Sequence, residues 1–189
     1  LHPRVRRQRQ MCIRDSMNDT FLPGSGFDTY ESQDKVLMQM DGSTEAAVAV
    51  RILQQQGFAV VGAVVRLAPE QAEAAQRAKK AAETLGIECI LLNAEALAQQ
   101  PEAAGAWPQF AALLTAADKL GIQYIASGRY ARIETDAQGM SHLFAPESGA
   151  PDESGKLAAL PPEVLSRLIL PLGDFAPEDV AEMAEDFKL

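Results

Sequence analysis

Short apolar runs alternate with amphipathic stretches between residues 35 and 127, and this alternation limits the folds open to the chain. Four runs have the apolar character of buried strands: Val36 to Met40, Phe58 to Val65, Glu88 to Leu92 and Tyr124 to Ser127. Three stretches between them have helical spacing and end at a glycine: Glu45 to Gln56, Pro69 to Leu85 and Gln109 to Leu120. Strand and helix in this order predict an α/β fold, a doubly wound parallel sheet with helices on both faces.

Smaller elements are expected around this sheet of four or five strands. The first two strands should be adjacent and central, because the second is apolar on both faces. Tyr130 to Glu134 and His142 to Ala145 predict a hairpin around the turn-rich segment TDAQG. Pro162 to Ile169 and Pro177 to Phe187 predict two short helices near the end of the chain.

The composition excludes several classes of protein. A hydrophobic fraction of 47% with only 6% aromatic residues suits helices packed on a sheet, and 189 residues are enough for one such domain. No apolar run approaches the roughly 20 residues of a membrane span, so we expect a cytoplasmic protein without membrane contact. Cys12 and Cys89 lie far apart and outside any C-x-x-C pattern, and they indicate neither a metal site nor a disulfide.

The first residues differ in charge from the rest of the chain. Residues 1 to 16 hold five Arg and one Asp, so the remaining residues carry four more negative charges than the −9 of the whole chain, a net −13. This acidic body would repel nucleic acid. A basic arm that binds RNA is one interpretation of the tail. The segment MCIRDS, however, resembles a translated transposase end from sequencing libraries, and we interpret residues 1 to 16 as an artefact.

The domain boundaries follow from the same shift in composition. Residues 1 to 34 are rich in polar and turn-forming residues, and we expect them to form a disordered lead-in. Residues 35 to 189 are then expected to form one α/β domain. The end at Leu189 leaves two alternatives open, a natural terminus and a truncated one.

The loop after the first strand is the first candidate for a functional site. It contains Asp41, Gly42, Ser43 and Thr44 and directly precedes a helix. Ligands of doubly wound sheets bind at the carboxyl ends of the strands, and the free N–H groups of a helix N-terminus favour phosphate. Helix capping by the Asp, Ser and Thr side chains and a turn at the glycine are the structural alternatives.

This loop fits neither the Walker nor the dinucleotide motif, but it resembles the Ser-Gly-Gly-x-Asp-Ser pyrophosphatase loop of enzymes that adenylate a substrate. The resemblance continues through GFAVVGAVV, AAETLGIECILLN, FAALLTAADKLGIQYIASGRYARI and LILPLGDFAPEDVAEMA. Together these segments are similar to the N-terminal half of the tRNA-specific 2-thiouridylase (MnmA) family. The resemblance implies a Rossmann-like fold of the adenine nucleotide alpha hydrolase type.

The resemblance also implies a chemistry. In this family ATP, with magnesium, adenylates the C2 oxygen of a wobble uridine in tRNA, and a cysteine persulfide then delivers sulfur. Carried over residue by residue, the implied nucleotide-binding positions are Met40, Asp41, Gly42, Ser43, Thr44, Glu45, Val65, Ser127, Gly128 and Arg129. Arg129 stands where the family has a histidine, and Asp41 brings a carboxylate to a place where a hydroxyl meets pyrophosphate. We therefore expect ATP with magnesium to bind weakly.

The family's nucleophile has no counterpart, because Pro101 and Ala104 stand at its two cysteine positions. Two hypotheses follow. In the first, the chain is a fragment of a working tRNA 2-thiouridylase. In the second, it is an inactive relative that serves as a nucleotide-binding or protein-interaction module. The missing thiol favours the second, because the sulfur step needs a covalent carrier.

Overall fold

The computed structural model describes residues 34–99 and 107–189, and the side chain of Trp107 lies outside this description. The first half of the described chain alternates strands and helices, with a short 3₁₀ turn at Pro69–Gln71. Its elements are β1 (Lys35–Gln39), α1 (Thr44–Gln55), β2 (Ala59–Arg66), α2 (Ala72–Leu85), β3 (Cys89–Asn93), α3 (Glu95–Ala98), α4 (Trp107–Leu120) and β4 (Tyr124–Ala126). The later elements are β5 (Arg132–Thr135), β6 (Ser141–Phe144), α5 (Ser154–Leu157), α6 (Pro162–Leu165), β7 (Leu168–Ile169) and α7 (Pro177–Asp186).

Five strands form a parallel sheet in the order β3-β2-β1-β4-β7. The chain runs outward from β1 to β3 and then returns to the other side of β1 with β4, so the order reverses between β1 and β4. This confirms the predicted parallel sheet, with β1 and β2 adjacent and inside it. β5 and β6 form the predicted antiparallel hairpin.

Helices cover both faces of the sheet and give two core layers. On one face α1, α2 and α7 pack against alternate residues of β1, including Val36 and Met38. On the other face α4 and the α5–α6 segment pack around Leu37, with Phe110 of α4 fully buried among them. Adjacent residues of β1 thus bury opposite faces, as an inner strand of a parallel sheet requires.

The helix predicted over Pro162 to Ile169 is wrong beyond Leu165. The helix ends there, and Leu168–Ile169 instead form β7 at the edge of the sheet, parallel to β4. The turn between them is held by Arg167, whose guanidinium donates to the carbonyls of Gln123 and Ile122 at 2.7 and 2.9 Å. Hydrogen bonds to the residues just before β4 therefore outweigh the local helical preference of the segment around Arg167.

Residues 1–33 of the lead-in predicted at residues 1 to 34 lie outside the described residues, as do the positions Pro101 and Ala104. Within the described ranges, no helix is both long and apolar enough to cross a membrane.

Candidate functional site

An open cleft of about 380 Å³ lies at the carboxyl ends of β1 and β4, where the strand order reverses. This is the position at which doubly wound sheets bind ligands, and the volume is within the usual range of small-molecule sites. The lining comes from the β1–α1 loop, the chain after β4 and the loop before α5: Gln39, Asp41, Ser43, Glu45, Ser127, Gly128, Arg129, Tyr130, Pro151, Asp152, Glu153 and Lys156.

The β1–α1 loop satisfies part of its own hydrogen-bonding capacity. Ser43 is the N-cap of α1, and its hydroxyl oxygen accepts the N–H of Ala46 at 3.1 Å. One carboxylate oxygen of Asp41 accepts both the backbone N–H of Ser43, at 2.9 Å, and the Ser43 hydroxyl, at 2.6 Å. The capping role is therefore observed for Ser43, while Asp41 binds the capping residue. Thr44 is the exposed first residue of the helix.

Two glycines fix the shape of the cleft wall. Gly42 has a φ of +82°, a left-handed conformation that residues with a side chain rarely adopt. Gly128 lets the chain after β4 lie against the first turn of α1, since a Cβ there would come within 3.1 Å of the Ala46 nitrogen. Both glycines are thus required by the backbone geometry of the site.

A series of hydrogen-bonded polar side chains connects three structural elements at the cleft. The Ser127 hydroxyl donates to the side-chain oxygen of Gln39 at 3.1 Å, and the Gln39 amide donates to the side-chain oxygen of Gln109 at 3.0 Å. The same Gln109 oxygen accepts from Arg129 Nη2 at 3.4 Å. This hydrogen-bonded series links β1, α4 and the segment after β4, and it orients Arg129 at the cleft.

Glu153 connects the loop before α5 to the segment after β4. Its carboxylate accepts the N–H of Tyr130 at 3.0 Å and pairs with Arg129 at 3.3 Å and Lys156 at 3.0 Å. The backbone N–H of Glu153 also donates to the Tyr130 carbonyl. Burial alone raises the pKa of Glu153, but the Tyr130 N–H, Lys156 and Arg129 together outweigh it, so the pKa lies below its ordinary value.

Tyr130 lines the cleft and is only 6% exposed. Its hydroxyl is buried and has no hydrogen-bond partner among the described residues. Burial, followed by the negative charges of Glu45, Glu153 and Glu178, raises the pKa of Tyr130 to about 12. The phenol is therefore neutral at physiological pH, with both its donor and its acceptor capacity unused.

The structure brings together six of the ten residues implied by the family resemblance: Asp41, Ser43, Glu45, Ser127, Gly128 and Arg129 all line the cleft. Gly42 and Thr44 belong to the same loop but are not in the lining. The Met40 side chain is buried, and its N–H donates to the Ala63 carbonyl. Val65 is half-buried in β2 and packs in the layer of α4.

The sequence analysis did not assign six of the lining residues to the site, nor Gln109, which supports it: Gln39, Tyr130, Pro151, Asp152, Glu153 and Lys156. Gln39 ends β1 just before the candidate loop, and this position could have identified it as a lining residue. Glu153 had no local signal, because its contacts with Arg129 and Tyr130 bridge 24 and 23 residues of sequence. Gln109 had no such signal, because it joins Gln39 across 70 residues of sequence.

Part of the donor set that a magnesium-bound triphosphate would need is already occupied. The Ser43 and Ala46 N–H groups at the start of α1 already bind oxygens of this chain. Asp41 and Glu45 place carboxylates beside the same helix terminus, and Glu153 neutralises Arg129. Negative charge thus faces the place where phosphates would lie.

Replacing Glu153 with Gln should reduce stability by about 1–3 kcal/mol at neutral pH, because Arg129 loses its charged partner. The folded-state pKa of Glu153 is lowered, so its contribution is present above the ordinary value of 4.5 and is lost as the pH falls through the folded pKa. Urea unfolding at pH 7 and pH 3 measures this. The difference between the two proteins should shrink at pH 3, and an undiminished difference would contradict the assignment.

Comparisons with known proteins place the chain among tRNA-modifying relatives. Residues 108–189 match the family model described as the tRNA methyl transferase HUP domain. The chain is 34% identical over 180 residues to the tRNA-specific 2-thiouridylase MnmA of Treponema denticola, covering 80% of this chain and 49% of that protein. It is 29% identical to the MnmA of Carboxydothermus hydrogenoformans, covering 82% and 51%. The chain therefore spans about half the length of the curated relatives it matches.

Solved structures support the fold. The NH3-dependent NAD synthetase from Campylobacter jejuni is similar with a TM-score of 0.51 at 10% identity, over 99% of this chain and 73% of that one. The PH1313 protein from Pyrococcus horikoshii is similar with a TM-score of 0.50 at 12% identity, over 82% and 42%. With the five-stranded parallel sheet, these likenesses confirm the predicted α/β Rossmann-like fold.

Proposed function

We propose that this chain, an MnmA-like member of the 2-thiouridylase family, keeps the fold and the cleft of a nucleotide-binding domain but does not transfer sulfur. Its relatives are named for 2-thiolation of tRNA. The proposed role is that of a binding module with weakened affinity for ATP and magnesium. The observation that carries this proposal is the hydrogen bonding of Asp41 to the loop in which a phosphate would bind.

The absence of a suitable thiol supports the loss of sulfur transfer. Pro101 and Ala104 stand at the family's cysteine positions, and neither side chain can form a persulfide. Cys89 opens β3, at the amino end of the sheet, whereas the cleft lies at the carboxyl ends of β1 and β4. Burial raises the pKa of the Cys89 thiol, which disfavours the reactive thiolate.

Two kinds of partner are considered for the proposed binding module, tRNA and a protein. Family membership points to tRNA and to a cytoplasmic location, where tRNA is modified. The net charge of −13 beyond residue 16 weakens long-range attraction to a phosphate backbone. A protein partner is the alternative, and it fits an acidic surface better than tRNA does.

A thiolation assay tests the proposal. The chain is incubated with unmodified tRNA, ATP, magnesium and a persulfide donor, and 2-thiouridine is measured by mass spectrometry of the digested nucleosides. The Treponema denticola relative serves as the positive control. We expect no 2-thiouridine above the enzyme-free blank. Formation of 2-thiouridine by this chain would overturn the proposal and support the working-fragment hypothesis.

A further inference from the structure

Three hydrogen-bond donors at the cleft converge on one carboxylate. The Arg129 guanidinium and the Lys156 ammonium contact the same oxygen of Glu153, at 3.3 and 3.0 Å. The backbone N–H of Tyr130 donates to the other oxygen at 3.0 Å. All four residues line the cleft, and the side chains of Arg129 and Glu153 are 23% and 19% exposed, so solvent reaches their contact. Two cations and a backbone donor around both oxygens have the form of a carboxylate-binding site.

Arg129 is held less tightly than other paired arginines in the described ranges. Its contact with a carboxylate is 3.3 Å long, whereas the shortest such contacts measure 2.8, 2.9 and 2.6 Å for Arg66, Arg132 and Arg167. Charge-assisted bonds of this kind are usually about 2.7–2.9 Å long. The second contact of Arg129, with Gln109 at 3.4 Å, is also long. The guanidinium is therefore bound weakly by its present partners, and a carboxylate that enters the cleft competes with them.

We propose that Glu153 is a displaceable occupant of this site, and that the cleft binds a small organic carboxylate in its place. Arg129, Lys156 and the Tyr130 N–H are the groups that receive the ligand. Such a ligand offers them the same planar pair of oxygens and the same single charge as the Glu153 side chain. The proposal goes beyond the nucleotide question, because it concerns a carboxylate held by α5 and the segment after β4, and not by the β1–α1 loop.

The charge of the cleft favours a monocarboxylate over a phosphate group. Asp41, Glu45 and Asp152 also line the cleft, and they repel every further negative charge that a ligand brings. A monocarboxylate brings one such charge to the two cations, whereas pyrophosphate brings more than one. The cleft volume of about 380 Å³ also leaves room for several carbon atoms beside the carboxylate.

Titration of Glu153→Ala with sodium acetate tests this inference, with sodium chloride at equal ionic strength as the reference. Because the substitution empties the site, acetate should raise the melting temperature and shift the Tyr130 amide signal, both in a saturable manner. The unmodified chain should bind acetate at least tenfold more weakly, because Glu153 competes. Pyrophosphate should bind Glu153→Ala at least threefold more weakly than acetate does. Equal affinity of the two proteins for acetate, or no saturable binding by Glu153→Ala, would overturn the proposal.

A second variant provides the test if Glu153→Ala does not fold. The Lys156 side chain is 64% exposed, so we expect Lys156→Gln to fold as the unmodified chain does. It should weaken the acetate-induced shift of the Tyr130 amide at least threefold. Lys119, an exposed residue of α4 outside the cleft, gives Lys119→Gln the same change of charge, and this variant should stay within twofold of the unmodified chain.

An equal loss in Lys156→Gln and Lys119→Gln would overturn the proposal, because general attraction to a positive charge would then account for the shift. No saturable shift in the unmodified chain would overturn it as well. Neither result bears on the thiolation assay, so the two proposals fail independently.

Discussion

A chain that carries Asp41→Ser and Ser43→Gly should bind ATP with magnesium at least tenfold more tightly than the unmodified chain, a gain of about 1.4 kcal/mol. Removing the carboxylate frees the N–H of residue 43 and lowers the negative charge at the start of α1. Removing the Ser43 hydroxyl also frees the N–H of Ala46. Both groups then point to a site that the helix N-terminus favours for phosphate. Calorimetric titration of both proteins measures the gain.

Asp152→Ser is the matched control for charge. It also removes a carboxylate from the cleft, but from the loop before α5 and not from the β1–α1 loop. If general repulsion alone opposed ATP, this variant would gain as much as the double variant. We expect a gain of less than threefold. No gain in the double variant would mean that the loop no longer binds phosphate at all, and tight binding by the unmodified chain would contradict the proposed weakening.

Phe110→Ala should destabilise the domain by about 3–5 kcal/mol, the largest effect on stability that we expect. Phe110 of α4 is fully buried in the layer that packs around Leu37, so its loss leaves a cavity under the centre of the sheet. Leu120 at the end of the same helix is 50% exposed and serves as the control. Leu120→Ala should change stability by no more than about 0.5 kcal/mol. Urea unfolding of the two variants measures the contrast, and similar losses would contradict the assigned core.

The larger elements were predictable because each leaves a local pattern in the sequence. β1 and β2 are continuous apolar runs, and Gly57 and Gly86 mark the ends of α1 and α2 with φ values of +96° and +73°. β7 was missed because two residues give no periodicity. Its strand character comes from pairing with β4 at Ile125 and Ala126, which is a tertiary effect.

The candidate site was only partly predictable for the same reason. The loop at Asp41 and the segment at Ser127 are contiguous in sequence and match a family pattern. The contacts of Arg129 with Gln109 and Glu153 bridge 20 and 24 residues, and no local pattern encodes them. The unpaired hydroxyl of Tyr130 is a property of packing, and residue type alone gave no indication of it.

The central claim is that the Asp41 carboxylate occupies hydrogen-bond donors that a phosphate group would otherwise take. Amide NMR tests it most directly, by following the backbone N–H signal of Ser43 as magnesium pyrophosphate is added. In the unmodified chain this signal should stay in place, because its N–H is already bound to Asp41 at 2.9 Å. In Asp41→Ser it should shift in a saturable manner. A saturable shift of the same size in the unmodified chain would contradict the account.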